Sequence, residues 1–413
     1  MRTTHRPTAI WALIGLVLLT INLRAAITGI PPMLGDLRET FGLSGVEVSV
    51  LTTLPVLCLG AFASLAPVLA RRFGTETAIA AALTLITLGV VVRALPAETA
   101  LFAGTVLAGA GIAMGNVLTP AVIKRVFPDR VGSLTGLAMM LMAASGAIAA
   151  GLAVPLASAT GWRIALTAWA VPSLIGVLVW GPLALRGRRA APERSEAVPA
   201  PEEGSLLRSP LAWNVAGFMG MASLMFYVLM SWLPEVMRDQ GYSAAESGAM
   251  ISVMMIIGIP LGFLVPVFAA RMRDQRVLVA GVGVAMMVGL LGVLLVPAAG
   301  WAWVSILGLA TGSAFPLAYT LLSLRSPTPA IAARLSGMAQ TGGYLLAGLA
   351  PFGFGLLHTT TNGWTLPLSV LLLLVVPEVI FGLFAARPTY IRPTTVQPDR
   401  DRQRIQEPAP AAR

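Results

Sequence analysis

Charge is what this sequence has least of. Only 11% of its 413 residues are Asp, Glu, Lys or Arg, while 56% are hydrophobic and the mean hydropathy is +0.82. A soluble domain carries about 25% charged residues, so a water-soluble enzyme is all but excluded. Cysteine is nearly absent as well. Cys58 stands alone inside an apolar run, which rules out an internal disulfide and any cysteine-based metal site. The two histidines, His5 and His358, come with no H-E-x-x-H or G-x-S-x-G pattern, so little remains for hydrolytic chemistry. No cofactor and no metal are expected, and enzyme activity is the minor reading.

Long apolar runs are what the chain does have. A helix needs about 20 residues to cross the hydrocarbon layer, and twelve such runs fall near 9–31, 46–69, 76–95, 99–122, 131–158 and 162–185, then 210–233, 246–270, 277–297, 302–324, 335–358 and 364–386. The first run follows Arg2, His5 and Arg6 and has the look of a signal peptide. It continues through Asn22 and Arg24 to Ile30, with eleven similar runs after it, so an uncleaved first span is the expectation. The formal net charge of +10 does not point to nucleic acid, because the basic residues sit between apolar runs rather than on a polar face. Counted by alternate loops they give orientation instead. Of 28 Lys and Arg, 23 fall on the side that holds both termini and four, Arg38, Arg93, Arg163 and Arg238, on the other. The positive-inside rule then puts both termini in the cytoplasm, with the chain in the inner (cytoplasmic) membrane and lipids as its surroundings.

Residues 186–209, RGRRAAPERSEAVPAPEEGSLLRS, form the one long polar interruption and read as a flexible cytoplasmic linker. It divides the spans six and six: a first bundle over 1–185, a second over 210–386 and a cytoplasmic tail over 387–413. The halves echo each other. GLSGVE at 42–47 faces GYSAAE at 241–246, LAPVLARR at 65–72 faces LVPVFAAR at 264–271, and Gly161-Trp162 faces Gly363-Trp364. A duplicated six-helix unit accounts for this, so the expected fold is an all-α membrane protein of twelve transmembrane helices in two pseudo-symmetric bundles. Ser44 with Glu47 and Ser243 with Glu246 have capping-box spacing. Ala143, Ala147 and Gly151, Gly111 with Gly115, and Gly308 with Gly312 mark expected close helix approaches.

Polar groups inside the spans are few. Arg24 lies fourteen residues beyond Ile10, about 21 Å along a helix, where a charge costs about 2.5–3.5 kcal/mol. It should therefore face a wet cavity and contact substrate; a helix-to-helix hydrogen bond or outward snorkelling are the alternatives. Asn22 shares its face only if the helix unwinds. Asn116 either offers its amide to the cavity or bonds a neighbouring backbone. Tyr227, Tyr319, Gln340 and Tyr344 are candidates for the lining, the last two sharing a face at i, i+4 spacing. Trp232 reads as an interfacial aromatic, and His358 as solvated at the outer surface. Glu378, the one carboxylate deep in a run, is either a proton relay or a structural group.

With these residues in hand a resemblance is visible. Twelve spans with a long central loop, and PVLARRFG after the second run, resemble the major facilitator superfamily. NLRAAITGIPPMLGDL at 22–37, LTPAVIKRVF at 118–127, SWLPEVM at 231–237, GSAFPLAYTLL at 312–322 and GGYLLAGLAPFGFGLL at 342–357 resemble its cyanate permease and 2-nitroimidazole exporter family. The superfamily loop pattern G-x-x-x-D-R-x-G falls on Pro67 to Gly74. Arg72 and Gly74 match, but Pro67 and Arg71 replace the Gly and the Asp, reversing a charge at the inner gate. Arg71, Arg72, Lys124 and Arg125 are the gating candidates. The resemblance implies a monomeric secondary transporter, with proton coupling open, for a small-molecule substrate: a compact anion such as cyanate or a planar nitro-heterocycle. The bundles would rock around a central site holding Arg24. A ligand sensor without transport and a broader drug exporter are the competing readings.

Overall fold

A computed structural model of the chain describes residues 6–189 and 205–391. Arg2, His5, most of the expected linker and the tail beyond 391 lie outside the described residues. Among the described residues there are fifteen α-helices and no strand. Before the linker come α1 (Arg6–Thr28), α2 (Leu34–Phe41), α3 (Gly45–Ala63), α4 (Leu65–Phe73), α5 (Thr75–Val92), α6 (Glu98–Val126), α7 (Val131–Thr160), α8 (Trp162–Thr167) and α9 (Ala170–Arg189). After it come α10 (Pro210–Asp239), α11 (Ala244–Arg271), α12 (Arg276–Leu295), α13 (Gly300–Leu324), α14 (Pro329–Thr361) and α15 (Thr365–Ala385). The expected runs map onto these elements, with three interruptions. Pro31 and Pro32 open a 3-10 turn that ends the first span, the second breaks at Ser64, and the sixth breaks between Thr167 and Ala170.

Eleven helical stretches are long and apolar enough to cross a membrane, and α14 is not among them. Its 33 residues make it the longest helix, but Arg334, Ser336, Gln340, Thr341 and His358 dilute its hydropathy. The polar members in its middle are buried in protein: Ser336 and Gln340 are fully enclosed. With α14 as the twelfth span the expected count stands. The helices differ in what surrounds them. In the apolar window of α6, 89% of residues are buried inside the protein, against 22% for α11, so α6 is central and α11 largely faces outward.

Local signals behave as their spacing requires. Ser44 accepts from the Glu47 backbone N–H while the Glu47 carboxylate accepts from the Ser44 N–H at 2.7 Å, and Ser243 and Glu246 repeat the pair at 2.8 Å. Duplicated caps at the entry of α3 and α11 support the internal repeat. Arg93, counted among the outer-loop cations, is buried at 1% exposure and donates from Nη1 to the Ala26 carbonyl at 2.7 Å. Ala26 lies in the last turn of α1, where carbonyls lack intrahelical donors, so a cation there satisfies an otherwise orphaned acceptor.

The ends of the molecule are unlike. Call the linker end the one where α9 finishes and α10 begins. There α7 meets α11 so closely that a side chain at Gly136 would lie 2.7 Å from the Phe263 carbonyl, and Gly132 abuts Pro266 and Ala270. On α14, Gly337 faces Pro67 and Ala63, and near mid-height Gly348 faces Leu57 at 3.1 Å. Toward the far end α7 and α11 separate. Gly151 on α7 and Gly248 on α11 have nothing within 4 Å of a built Cβ. The expected close approach at Ala143, Ala147 and Gly151 is therefore corrected. Contact of that helix with the other half falls nearer the linker end, at Gly132 and Gly136, while Gly146 beside the stripe packs on Arg24 and Thr28 of α1. The Gly111, Gly115, Gly308 and Gly312 approaches hold, against α5, α1 and α11.

Candidate functional site

Arg24 sits in the last third of an unbroken α1 and is half-buried. Its aliphatic stem lies on Gly146 of α7, where a Cβ would come within 3.2 Å of Cγ, and one turn on Thr28 donates to the Gly146 carbonyl at 2.9 Å. Absence of a side chain at 146 thus makes room for the Arg24 stem. The guanidinium has no hydrogen bond or ion pair to a described residue. Tyr227 and Tyr344, on the opposite half, lie within electrostatic reach of it, and Tyr344 is within reach of Tyr227 and Tyr319 as well. The three tyrosines sit on α10, α13 and α14, which pack against one another, and Arg24 of α1 is within electrostatic reach of two of them.

The other expected residues divide. Asn22 does not join them: α1 stays helical through it, and its amide donates back to the Leu18 carbonyl at 2.6 Å. Asn116 is buried, with its side-chain oxygen unpartnered among the described residues and its backbone carbonyl taken by the Tyr319 hydroxyl at 2.7 Å. Tyr319 thus commits its proton to the other half in this conformation. Gln340 is buried, donating to Ser336 Oγ at 2.7 Å, with Oε1 unpartnered. Phe315 was missed. Its ring lies 6.1 Å from that of Tyr319 and 6.5 Å from that of Tyr344, joining them into an aromatic wall. Its position in the AFPL segment was the available signal.

The gating candidates also separate. Lys124 reaches across from α6 to the Ser323 carbonyl on α13 at 3.0 Å. Arg125 remains in its own half, paired with Glu76 at 2.6 Å. Arg71 and Arg72 are exposed at the end of α4, with the Arg72 guanidinium 5.3 Å over the Phe73 ring. Glu378 is buried with neither oxygen partnered among the described residues. It lies on the face of α15 that one turn later meets Phe218 and Val279 inside the second half. His358 is not simply solvated: its ring stacks on Trp364 at 3.9 Å. Trp232 completes that cluster and donates to the Pro351 carbonyl at 2.8 Å. No group of His, Cys, Asp and Glu among the described residues is arranged to hold a metal.

An unpaired guanidinium between two diverging helical halves suits recognition of a solute, and the relatives agree with a carrier. The family model of the Major Facilitator Superfamily matches residues 16–351. The chain is 37% identical to the 2-nitroimidazole transporter of Escherichia coli (strain K12), over 92% of this chain and 96% of that one. It is 30% identical to the cyanate transport protein CynX of the same organism, over 90% and 96%. Among solved structures, the superfamily transporter FucP in the outward conformation superposes with a TM-score of 0.71 at 14% identity, over 94% of this chain and all of that one. The chain therefore belongs to the Major Facilitator Superfamily, as a multi-pass membrane transporter of small solutes rather than an enzyme.

Proposed function

We propose that this transporter moves a small polar or anionic solute, a nitroimidazole-like heterocycle or a cyanate-like anion, across the cytoplasmic membrane, with Arg24 as the group that reads it. The observation carrying this is Arg24: its stem lies on Gly146, and its guanidinium is unpaired among the described residues and within electrostatic reach of Tyr227 and Tyr344 of the opposite half. A guanidinium presents parallel N–H donors that match a carboxylate or nitro oxygen pair. In a site of low dielectric such a contact is stronger than in water, so a bound acceptor offsets the cost of holding the charge there. The Asn116 and Gln340 side-chain oxygens, on helices that converge on this region, lack partners among the described residues. An unsatisfied buried acceptor costs about 1–3 kcal/mol, which favours a solute bearing an N–H as well as the oxygen pair. Between the substrates of the two named relatives, the nitroimidazole has such a donor and cyanate has none.

Both termini lie in the cytoplasm in this reading, and the two six-helix bundles, 1–185 and 210–386, rock about the site. The linker end is then the cytoplasmic end, and the divergence at the far end corresponds to access from outside. The test is uptake into proteoliposomes of 2-nitroimidazole and, separately, cyanate, by the wild type and Arg24→Ala. Transport of the nitro-heterocycle that disappears in the variant, with membrane insertion unchanged, supports the assignment. Full retention of transport by Arg24→Ala defeats it, and binding without flux turns the reading toward a sensor.

A further inference from the structure

The fourth and tenth expected spans, α6 and α13, face each other across the two halves, and three hydrogen bonds join them. All three end on backbone carbonyls: Tyr319 on Asn116 at 2.7 Å, Ser323 on Pro120 at 3.3 Å and Lys124 on Ser323 at 3.0 Å. Two of these carbonyls cannot be satisfied within their own helix. Pro120 has no N–H, so the Asn116 carbonyl four residues earlier loses its helical donor. Ser323 lies in the last turn of α13, where carbonyls have no intrahelical donor at all. The acceptors are made by a proline and a helix end in one half each, and the donors come from the other half. Tyr319 is 1% exposed and Ser323 equally buried, so water does not substitute while the halves touch.

We propose that Pro120 and Tyr319 form a latch that holds the linker end shut. The proline creates a free carbonyl on α6, the tyrosine of α13 engages it only when the halves are together, and Lys124 with Ser323 repeats the arrangement one turn nearer the linker along α13 and two along α6. Opening of this end, which alternating access requires, must break all three bonds. Tyr319 and Pro120 are thus positioning residues that set the balance between the two conformations, and neither needs to touch the solute.

Spin labels at Ser133 on α7 and Arg273 after α11, in a Cys58→Ala background, report the separation of the halves at the linker end by pulsed electron resonance, with no solute present. The wild type is expected to give a dominant short distance. Tyr319→Phe keeps the ring and removes the donor, and should raise the long-distance population about threefold to tenfold, the range that one net hydrogen bond gives. Pro120→Ala restores an N–H to α6, satisfies Asn116 locally and should give a similar rise. The double variant should match either single one, because both remove the same bond. Lys124→Met should add a separate increment. An unchanged distance distribution in Tyr319→Phe overturns the latch, as do independent, multiplying effects of the first two variants. Should Pro120→Ala fail to purify as a monodisperse protein, Tyr319→Phe and Lys124→Met decide the matter, and the outcome stands whatever solute Arg24 recognises.

Discussion

A guanidinium is among the least welcome groups in a hydrocarbon layer, and its position could be read from the sequence because nothing else nearby is charged. Arg24 was legible for that reason, and so were the tyrosines, because the chain has only five. What each polar group touches was not legible, since contact depends on which helices meet. Asn22 turned inward on Leu18, and Tyr319 bonded a carbonyl that only the pairing of α6 with α13 brings near. Two outcomes follow at this scale. Arg24→Lys keeps the charge but loses the planar fork, so transport of the nitro-heterocycle should fall by at least about tenfold while the protein inserts normally; initial uptake rates check this. Gly146→Leu puts a branched side chain where the Arg24 stem lies 3.2 Å from a built Cβ. It should abolish the rise in apparent melting temperature that the solute gives the wild type, read by thermal unfolding with and without 2-nitroimidazole.

Helix ends and interruptions differ in how well a sequence announces them. The capping boxes at Ser44 and Ser243 were readable because one residue pair at fixed spacing builds each of them. The break at Ser64 had a signal that went unread: Pro67 has no N–H to offer the Ala63 carbonyl four residues earlier, and its ring crowds that carbonyl. Ser44→Ala and Ser243→Ala should each cost about 1 kcal/mol, seen as a lowered unfolding midpoint with solute affinity intact. Arg325 serves a similar end-sealing role. From the end of α13 it donates to the carbonyls of Ala385 and Ala386 at the close of α15 at 2.7 and 2.8 Å, and it also bonds Gln275. It was counted in the sequence only as a topology signal, yet it ties three helix ends together.

Across the whole molecule, twelve spans, two halves and the side that gathers the arginines were all present in composition and spacing. The conformation was not, because one set of residues serves both arrangements of a carrier and the difference between them is small beside the total packing. The contacts of α7 with α11 supply it: closed at Gly136, open by Gly151 and Gly248. In a Cys58→Ala background, Gly151→Cys should therefore react with a membrane-impermeant thiol reagent added outside, and Ser133→Cys should react only from the cytoplasmic side. The reverse pattern would contradict the proposed orientation. One feature of the architecture reaches back to how the molecule is made. The longest helix, α14, is the one too polar to cross by hydropathy, and it packs on α10 through Gly220 against Gly343 and Trp232 against Gly355. A ribosome emits α10 well before α14, so the earlier segment can wait at the translocon as a template. The later one then enters the bilayer as its partner rather than alone, which makes biogenesis of the second half an ordered event.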